Sequence, residues 1–516
     1  MNTISVLLAL LPVAIILALL IIHRTAADIA GLWGWAATLL IAWLYFRTPL
    51  PILLKASLSG IVASLPITLM VMTSIFQITI MSETGAIPRV VTLIKTIAPN
   101  NQVVQIMIIN VGFGTLLAAM GATPVSILPP IMLGLGYSSF VAIALPALGY
   151  DALCTYALLG IPIVVFSGFV KLPVEEVGGY FAQFMPVISA CIALGMLWIV
   201  GRWRMVLRGA APALIAGITA GLIAIAMNAA RMVTLTGVAA GLGVILVMLA
   251  YLKLTRQPLY DRSVLTGQDL SNAGKLSLRA AISPWLILIV FAVLVNAPFL
   301  PFFDLTFKTL AMPVTIIPGE PEKVRLFWQA YFWILVSTLL ALPFLRANKA
   351  QVAASIRKWL KRAPRPMLAS AIFFAIAFII NHSGKGLDWK LVDPNFNMVY
   401  ILANAAASTF HTFYPLAAPF LGLLGGFISG SEASSIAMLT HIHLSTAEKI
   451  GALGLVIAAA SGIGGGLASV ISPAKLQNAA ASIDRIGEEG RVLRVTFVIS
   501  LAITAVCALM AYFWAF

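Results

Sequence analysis

Three charged side chains stand where charge is expensive. Asp151 lies in ALPALGYDALCTYALLGIP (144–162), Glu432 in SGSEASS (429–435) and Lys475 in SPAKLQN (472–478). An ionisable residue inside an apolar run is rare, and is a functional candidate by default. Asp151 and Glu432 are candidate proton carriers. Lys475 is a candidate partner for Glu432 or for the carboxylate of a bound anion. His411, in TFHTFYP, is a third candidate for proton relay, since imidazole changes charge near neutral pH. His441 and His443 are two residues apart, a spacing that does not share one helix face, and read as a loop feature without a metal.

Small polar residues, Gly and Pro surround these charges. Gly121, Thr123, Pro124 and Ser126 interrupt one apolar stretch, Gly430, Ser431, Ser434 and Ser435 a second, and Ser472 and Pro473 a third. A helix broken in lipid frees N–H and C=O groups, each costing several kcal/mol unless protein or a wet cavity satisfies them. The freed helix starts carry bare N–H donors and partial positive charge, which suits a small carboxylate. Tight packing between helices is the competing reason for small residues at such places.

The elements holding these residues are membrane helices. Of 516 residues, 61% are apolar and 9% charged, too few charges to solvate a soluble protein of this size. Apolar runs of membrane-crossing length fall at 4–22, 27–46, 57–81, 102–118, 138–158, 180–201, 209–228, 233–252, 281–300, 327–345, 367–381, 398–411, 450–468 and 495–514. Two further stretches, 121–135 and 415–440, are interrupted and read as re-entrant. The expected fold is an all-α polytopic membrane protein with about 12–14 spans.

The net charge of +15 sits in short loops. It therefore reports orientation in the membrane, not a nucleic-acid partner. Clusters at 202–208, 253–279 and 346–365 are expected on the cytoplasmic side, with 301–326, 383–396 and both chain ends outside. The N-terminal run lacks a basic region and a small-residue cleavage site, and reads as a retained helix. Cys154, Cys191 and Cys507 lie inside apolar runs without motif spacing, so neither a disulfide framework nor a metal site is expected. No phosphate-binding Gly-Lys-Ser loop, His-Glu-x-x-His or Gly-x-Ser-x-Gly occurs, which speaks against an ATPase, a zinc protease or a serine hydrolase. An enzyme is not expected, and no cofactor.

The polar stretch 253–280 divides the chain into 1–252 and 281–516. Each part holds a matching pattern. GFGTLLAAMGATPVSILPP precedes LGIPIVVFSG in the first, and GLLGGFISGSEASSIAML precedes ASVISPAKLQ in the second. Gly121 and Pro162 are 41 positions apart, and Gly430 and Pro473 are 43. Broken hairpins at about 119–162 and 415–475 are thus expected in corresponding positions, the pattern of a transporter with its site at the repeat interface.

At GATPVSILPPIMLGLGY, AIAFIINHSG, YPLAAPFLGLLGGFISGSEASSIAML, VISPAKLQNAAAS and GEEGRVLRVTF the chain resembles the L-lactate permease family, through most of its length. The resemblance implies two inverted repeats, paired hairpins, elevator-type transport, a homodimer in the cell membrane, and proton symport of lactate, glycolate or a related 2-hydroxy acid. It departs from the family pattern at several places: Glu432 stands where the family has Asn or Asp, Ile436 where it has Asn, and Ala474 where it has Gln. Sodium coupling, another small carboxylate or a sulfonate as cargo, and a passive anion channel stay open as alternatives.

Overall fold

The computed structural model describes residues 3–23, 25–98, 100–121, 123–263, 265–296, 300–485 and 487–516. The side chains of Leu20, Ile21, Ala27, Asn272, Ala273, Asn296, Pro473, Ala474 and Ala481 lie outside the description.

Helices dominate, and among the described residues eight are long and apolar enough to cross a membrane. A ninth arises if Ser139–Asp151 and Cys154–Val170, bent by 68°, form one broken span. This is fewer than the 12–14 expected, for three physical reasons. The helix Met185–Ala229 counts once but folds back on itself. Gly201 (φ −147°) and Arg202 (φ 54°) leave helical geometry. Beyond that turn, a Cβ at Gly217 would lie 2.5 Å from Ala190 Cα, and one at Gly221 2.2 Å from Pro186 Cα. Two antiparallel arms therefore touch backbone to backbone, matching the predicted pair 180–201 and 209–228. Next, the predicted span 57–81 is divided at Ser64 into Leu50–Ala63 and Leu65–Glu83, with Pro at the start of the second helix. Finally, several expected spans are apolar helices of only 10–17 residues, such as Ser283–Val295 and Ala330–Ala341.

The fold is not wholly helical. Strands Met312–Ile317 and Glu320–Val324 pair antiparallel within the expected irregular loop 301–326. The signal was present: β-branched residues precede Pro318-Gly319, a turn pair whose glycine takes the positive φ (here 78°) that a type II turn requires.

Four breaks position the charged residues. The helix Gln102–Ala119 contains a π-helical stretch, Met107–Phe113, and ends before Gly121 (φ 82°). The next helix starts at Pro124. Ser139–Asp151 ends at the candidate carboxylate, and the chain stays irregular to Gly160, with Leu158, Leu159 and Gly160 all at positive φ. Tyr414–Ser429 ends at Gly430 (φ 68°), and Glu432–Ile450 begins two residues later. Gly454–Leu467 gives way to a short turn, Ser469–Ile471, before Pro473–Ala481. These segments pack without side chains between their axes. A Cβ at Gly422 would lie 1.8 Å from the Ser461 carbonyl oxygen, and one at Gly464 2.0 Å from that of Pro419.

Candidate functional site

The second and fourth breaks meet around Asp151. Its carboxylate is 4% exposed. Oδ2 accepts the backbone N–H of Val470 at 3.2 Å, while Oδ1 has no protein partner. The donor is free because Val470 stands in the first residues of the new turn Ser469–Ile471, where N–H groups lack a helical acceptor. Lys475, in the first turn of Pro473–Ala481, reaches back across the same turn. Its ammonium donates to Ser469 Oγ at 2.6 Å and sits 4.1 Å from the centre of the Tyr150 ring. Cys154 Sγ also contacts Ser469 Oγ, at 3.7 Å.

The second break meets the third through Glu432, likewise 4% exposed. Thr155 donates its hydroxyl to Glu432 Oε1 at 2.7 Å. Oε2 has no protein partner and lies 2.6 Å from where a Cβ at Gly466 would be. Glycine at 466 therefore makes room for the carboxylate. Glu432 opens its own helix, where a negative side chain complements the helix dipole, and Ser431 caps that helix by accepting the Ser434 N–H at 3.4 Å.

The remaining predicted residues arrange around these two carboxylates. Ser472 is buried, and its Oγ lies 3.8 Å from a Cβ built on Gly430, so the third and fourth breaks adjoin. Pro473 starts the fourth-break helix, but its side chain lies outside the described residues. Ser126 accepts a 2.8 Å hydrogen bond from Asn478, which ties the helix behind Thr123 and Pro124 to Pro473–Ala481. Gly121 packs on Ser74 and Leu158, three residues from Thr155. The Gly121–Pro124 break thus adjoins the second break at Leu158 and the fourth-break helix at Asn478. Ser434 Oγ is buried without a protein partner, while Ser435 Oγ donates to the Gly422 carbonyl at 2.9 Å and serves packing.

Three expectations change. Lys475 does not hold Glu432: its ammonium is turned to Ser469 and Tyr150, and Thr155 takes the place expected of it. His411 is exposed in a surface pocket shared with Asn404, Thr412 and Lys449. Lys449 and Glu432 lie 17 residues apart on one helix, about 25 Å at the α-helical rise. His411 is therefore not gathered with the carboxylates. His441 and His443 lie inside the Glu432–Ile450 helix and not in a loop. His443 is buried between Tyr414 Oη (2.7 Å) and Ser461 Oγ (2.6 Å).

Residues missed in the sequence are Thr155, Cys154, Ser469 and Ser74. Thr155 follows Asp151 by four positions, and only knowledge of the break at 152–157 would have drawn attention to it. The arrangement offers three helix starts, one ammonium and two buried carboxylates. It also leaves four buried oxygens, Asp151 Oδ1, Glu432 Oε2, Ser434 Oγ and Ser74 Oγ, without protein partners. Buried polar atoms are normally paired, so these oxygens are places for water, a proton or a guest. No group of three or more His, Cys, Asp or Glu able to hold a metal occurs among the described residues.

The family model described as L-lactate permease matches residues 5–516. The L-lactate permease of Escherichia coli K12 is 25% identical, covering 97% of this chain and 94% of that protein. The glycolate permease GlcA of the same strain is 23% identical, covering 99% and 96%. The L-lactate permease of Bacillus subtilis is 23% identical, covering 98% and 95%. Among solved structures, Neisseria gonorrhoeae MtrF aligns at TM-score 0.44 and 14% identity, over 90% of this chain and 83% of that one, a likeness too slight to carry a shared mechanism. The chain belongs to the L-lactate permease family, and is a multi-pass cell-membrane transporter rather than an enzyme.

Proposed function

We propose that this protein is a proton-coupled symporter of a small 2-hydroxy monocarboxylate, lactate or glycolate, across the cell membrane. The observation that carries the reading is the meeting of Asp151, Thr155, Glu432, Ser469 and Lys475 at the junction of broken helices. With all three charged groups ionised, Asp151, Glu432 and Lys475 sum to one negative charge. A proton and a monovalent anion entering together leave that charge unchanged, whereas the anion alone would double it in a site shielded from water. The proton belongs on Glu432, whose Oε2 is free. The anion's carboxylate belongs beside Lys475 and the helix starts behind Ser431 and Ser472, with Gly121, Thr123, Ser126 and Ser434 along the rim.

The arms of the two broken hairpins support an inverted pair of repeats, 1–252 and 281–516. The first begins beside the basic loop 253–280, where Asn101 donates to Gln257 at 2.9 Å. The second returns beside the C-terminus, where the Leu453 N–H donates to the Ala515 carbonyl at 2.8 Å. Opposed entry of two hairpins suits an elevator motion of the hairpin body within a homodimer.

Uptake into proteoliposomes tests the reading, with labelled lactate, glycolate, pyruvate, acetate and a small sulfonate, under imposed proton or sodium gradients. Concentrative lactate or glycolate uptake under an inward proton gradient is expected. Accumulation driven by sodium alone would replace the proton. Flux that no gradient can drive uphill would make the protein a channel.

A further inference from the structure

Outside the buried site, a set of ionisable side chains gathers where the hairpin 312–324 meets the end of helix Pro364–His382. Glu320, the first residue of the second strand, faces a histidine and a lysine. Its Oε2 is 3.7 Å from His382 Nε2, and its Oε1 is 3.8 Å from Lys385 Nζ. Lys385 Nζ lies 2.8 Å from His382 Nδ1. An ammonium can only donate, so Nδ1 accepts and the ring proton sits on Nε2, toward Glu320. Lys171 and His441 lie within electrostatic reach of the same group. Trp389 lines the pocket 5.6 Å from the His382 ring, and Phe169 stands 5.6 Å from that of His441.

Burial here is inverted. The His382 side chain is 7% exposed and that of Lys385 20%, whereas the carboxylate that faces them is 39% exposed. A charge-assisted bond closes to 2.7–2.9 Å when nothing holds the partners apart. Glu320 stops almost an ångström short of both groups, because its hairpin is seated elsewhere: Ile317 is buried against Ala56 and Phe378. The histidine and the lysine are thus built in, and Glu320 is loosely presented to them from a tether.

Two helices lead from this pocket to the buried carboxylates. Ala157–Val170 begins next to Thr155 and ends at Lys171. Glu432–Ile450 carries His441 nine residues beyond Glu432, about 13 Å away. Thr155 meets Glu432 at one end of this pair, and Phe169 meets His441 at the other.

We propose that His382 and Lys385 form a capture site for the carboxylate of the transported acid, and that Glu320 is a resident carboxylate which the incoming anion displaces. A free monocarboxylate presents the same group without the tether, and so reaches hydrogen-bonding distance of Nε2 and Nζ together. The proposal rests on the transport reading for the identity of the anion.

The test is the concentration dependence of lactate and glycolate uptake by full-length protein in proteoliposomes, for wild type, Glu320→Gln, Lys385→Gln and Lys385→Arg. Glu320→Gln removes the resident competitor, so KM is expected to fall about two- to fivefold, the range a loose ion pair accounts for. Lys385→Gln is expected to raise KM by a similar factor and to flatten its dependence on salt, and Lys385→Arg to restore both. A purely structural role would lower the amount of active protein, and with it Vmax, while leaving KM in place. Wild-type uptake with the same KM in all four proteins would overturn the capture site and leave the transport reading standing. No saturable uptake of any carboxylate by wild type would remove the transport reading and the capture site together.

Discussion

Thr155 and Glu432 are 277 positions apart in the chain and 2.7 Å apart in the fold, joined by the Thr155 hydroxyl. This one bond connects the break after Asp151 to the break after Gly430. Replacing Thr155 by Val keeps the shape and removes the donor, which leaves both oxygens of a buried carboxylate unpaired. Such an orphaned group costs about 1–3 kcal/mol. Thr155→Val is expected to cut the initial rate of pH-driven uptake about tenfold or more, while Thr155→Ser retains most of it. Initial-rate uptake normalised to reconstituted protein checks this.

The glycines near the site divide by what they touch. A methyl at Gly466 would press on Glu432 Oε2, whereas one at Gly422 would overlap the Ser461 backbone and one at Gly179 meets nothing within 4 Å. Gly466→Ala is therefore expected to impair uptake with little loss of thermal stability. Gly422→Ala should cost about 1–3 kcal/mol of stability, the usual penalty for overpacking. Gly179→Ala should be silent in both. Melting curves of the purified variants beside uptake rates separate the three.

Lys475 is bound to Ser469 and lies over Tyr150, so its charge stays in the site without an ion pair to Glu432. Removing it leaves two carboxylates and no cation for an incoming anion. Lys475→Ala is expected to raise KM for lactate at least tenfold, with Lys475→Arg intermediate. An unchanged KM would make Lys475 a helix-packing residue.

Glu322, half-buried in the hairpin, supplies a pH dependence. Burial pushes its carboxyl up to about 7, Glu320 beside it adds to the rise, and Lys171 opposes it. A carboxyl raised in the folded state stabilises the seated hairpin fully below its ordinary value of 4.5 and ceases to do so as pH climbs through about 7. Proteolytic nicking at Pro318-Gly319 should thus be faster at pH 8 than at pH 5.5, and Glu322→Gln should make the two rates alike.

How much of this was legible in the sequence depends on whether the signal is local. Asp151, Glu432 and Lys475 stood out because a charge in an apolar run needs a reason. The breaks at Gly121, Gly430 and Ser472 stood out because Gly, Ser and Pro release the helix where they occur. The break at 152–160 was marked only at its far end, by Pro162; its start was not, since Leu158 and Leu159 take left-handed backbone at a cost of about 1–2 kcal/mol each, which only surrounding structure can impose. Partnerships were the least legible. Lys475 looked like the mate of Glu432 because it sits in the second break of the same half, yet Thr155 fills that role because the fold brings the 154–156 turn onto the start of the Glu432–Ile450 helix. The hairpin at 312–324 was hidden by the expectation that polar segments between spans are irregular.

The central claim is that a proton on Glu432 accompanies the anion, and Glu432→Gln isolates it. The amide keeps the shape, still accepts from Thr155, and mimics the protonated acid permanently. In proteoliposomes this variant should exchange internal for external labelled lactate at a rate within a few-fold of wild type, yet fail to accumulate lactate under an inward proton gradient. Full gradient-driven accumulation by Glu432→Gln would contradict the account.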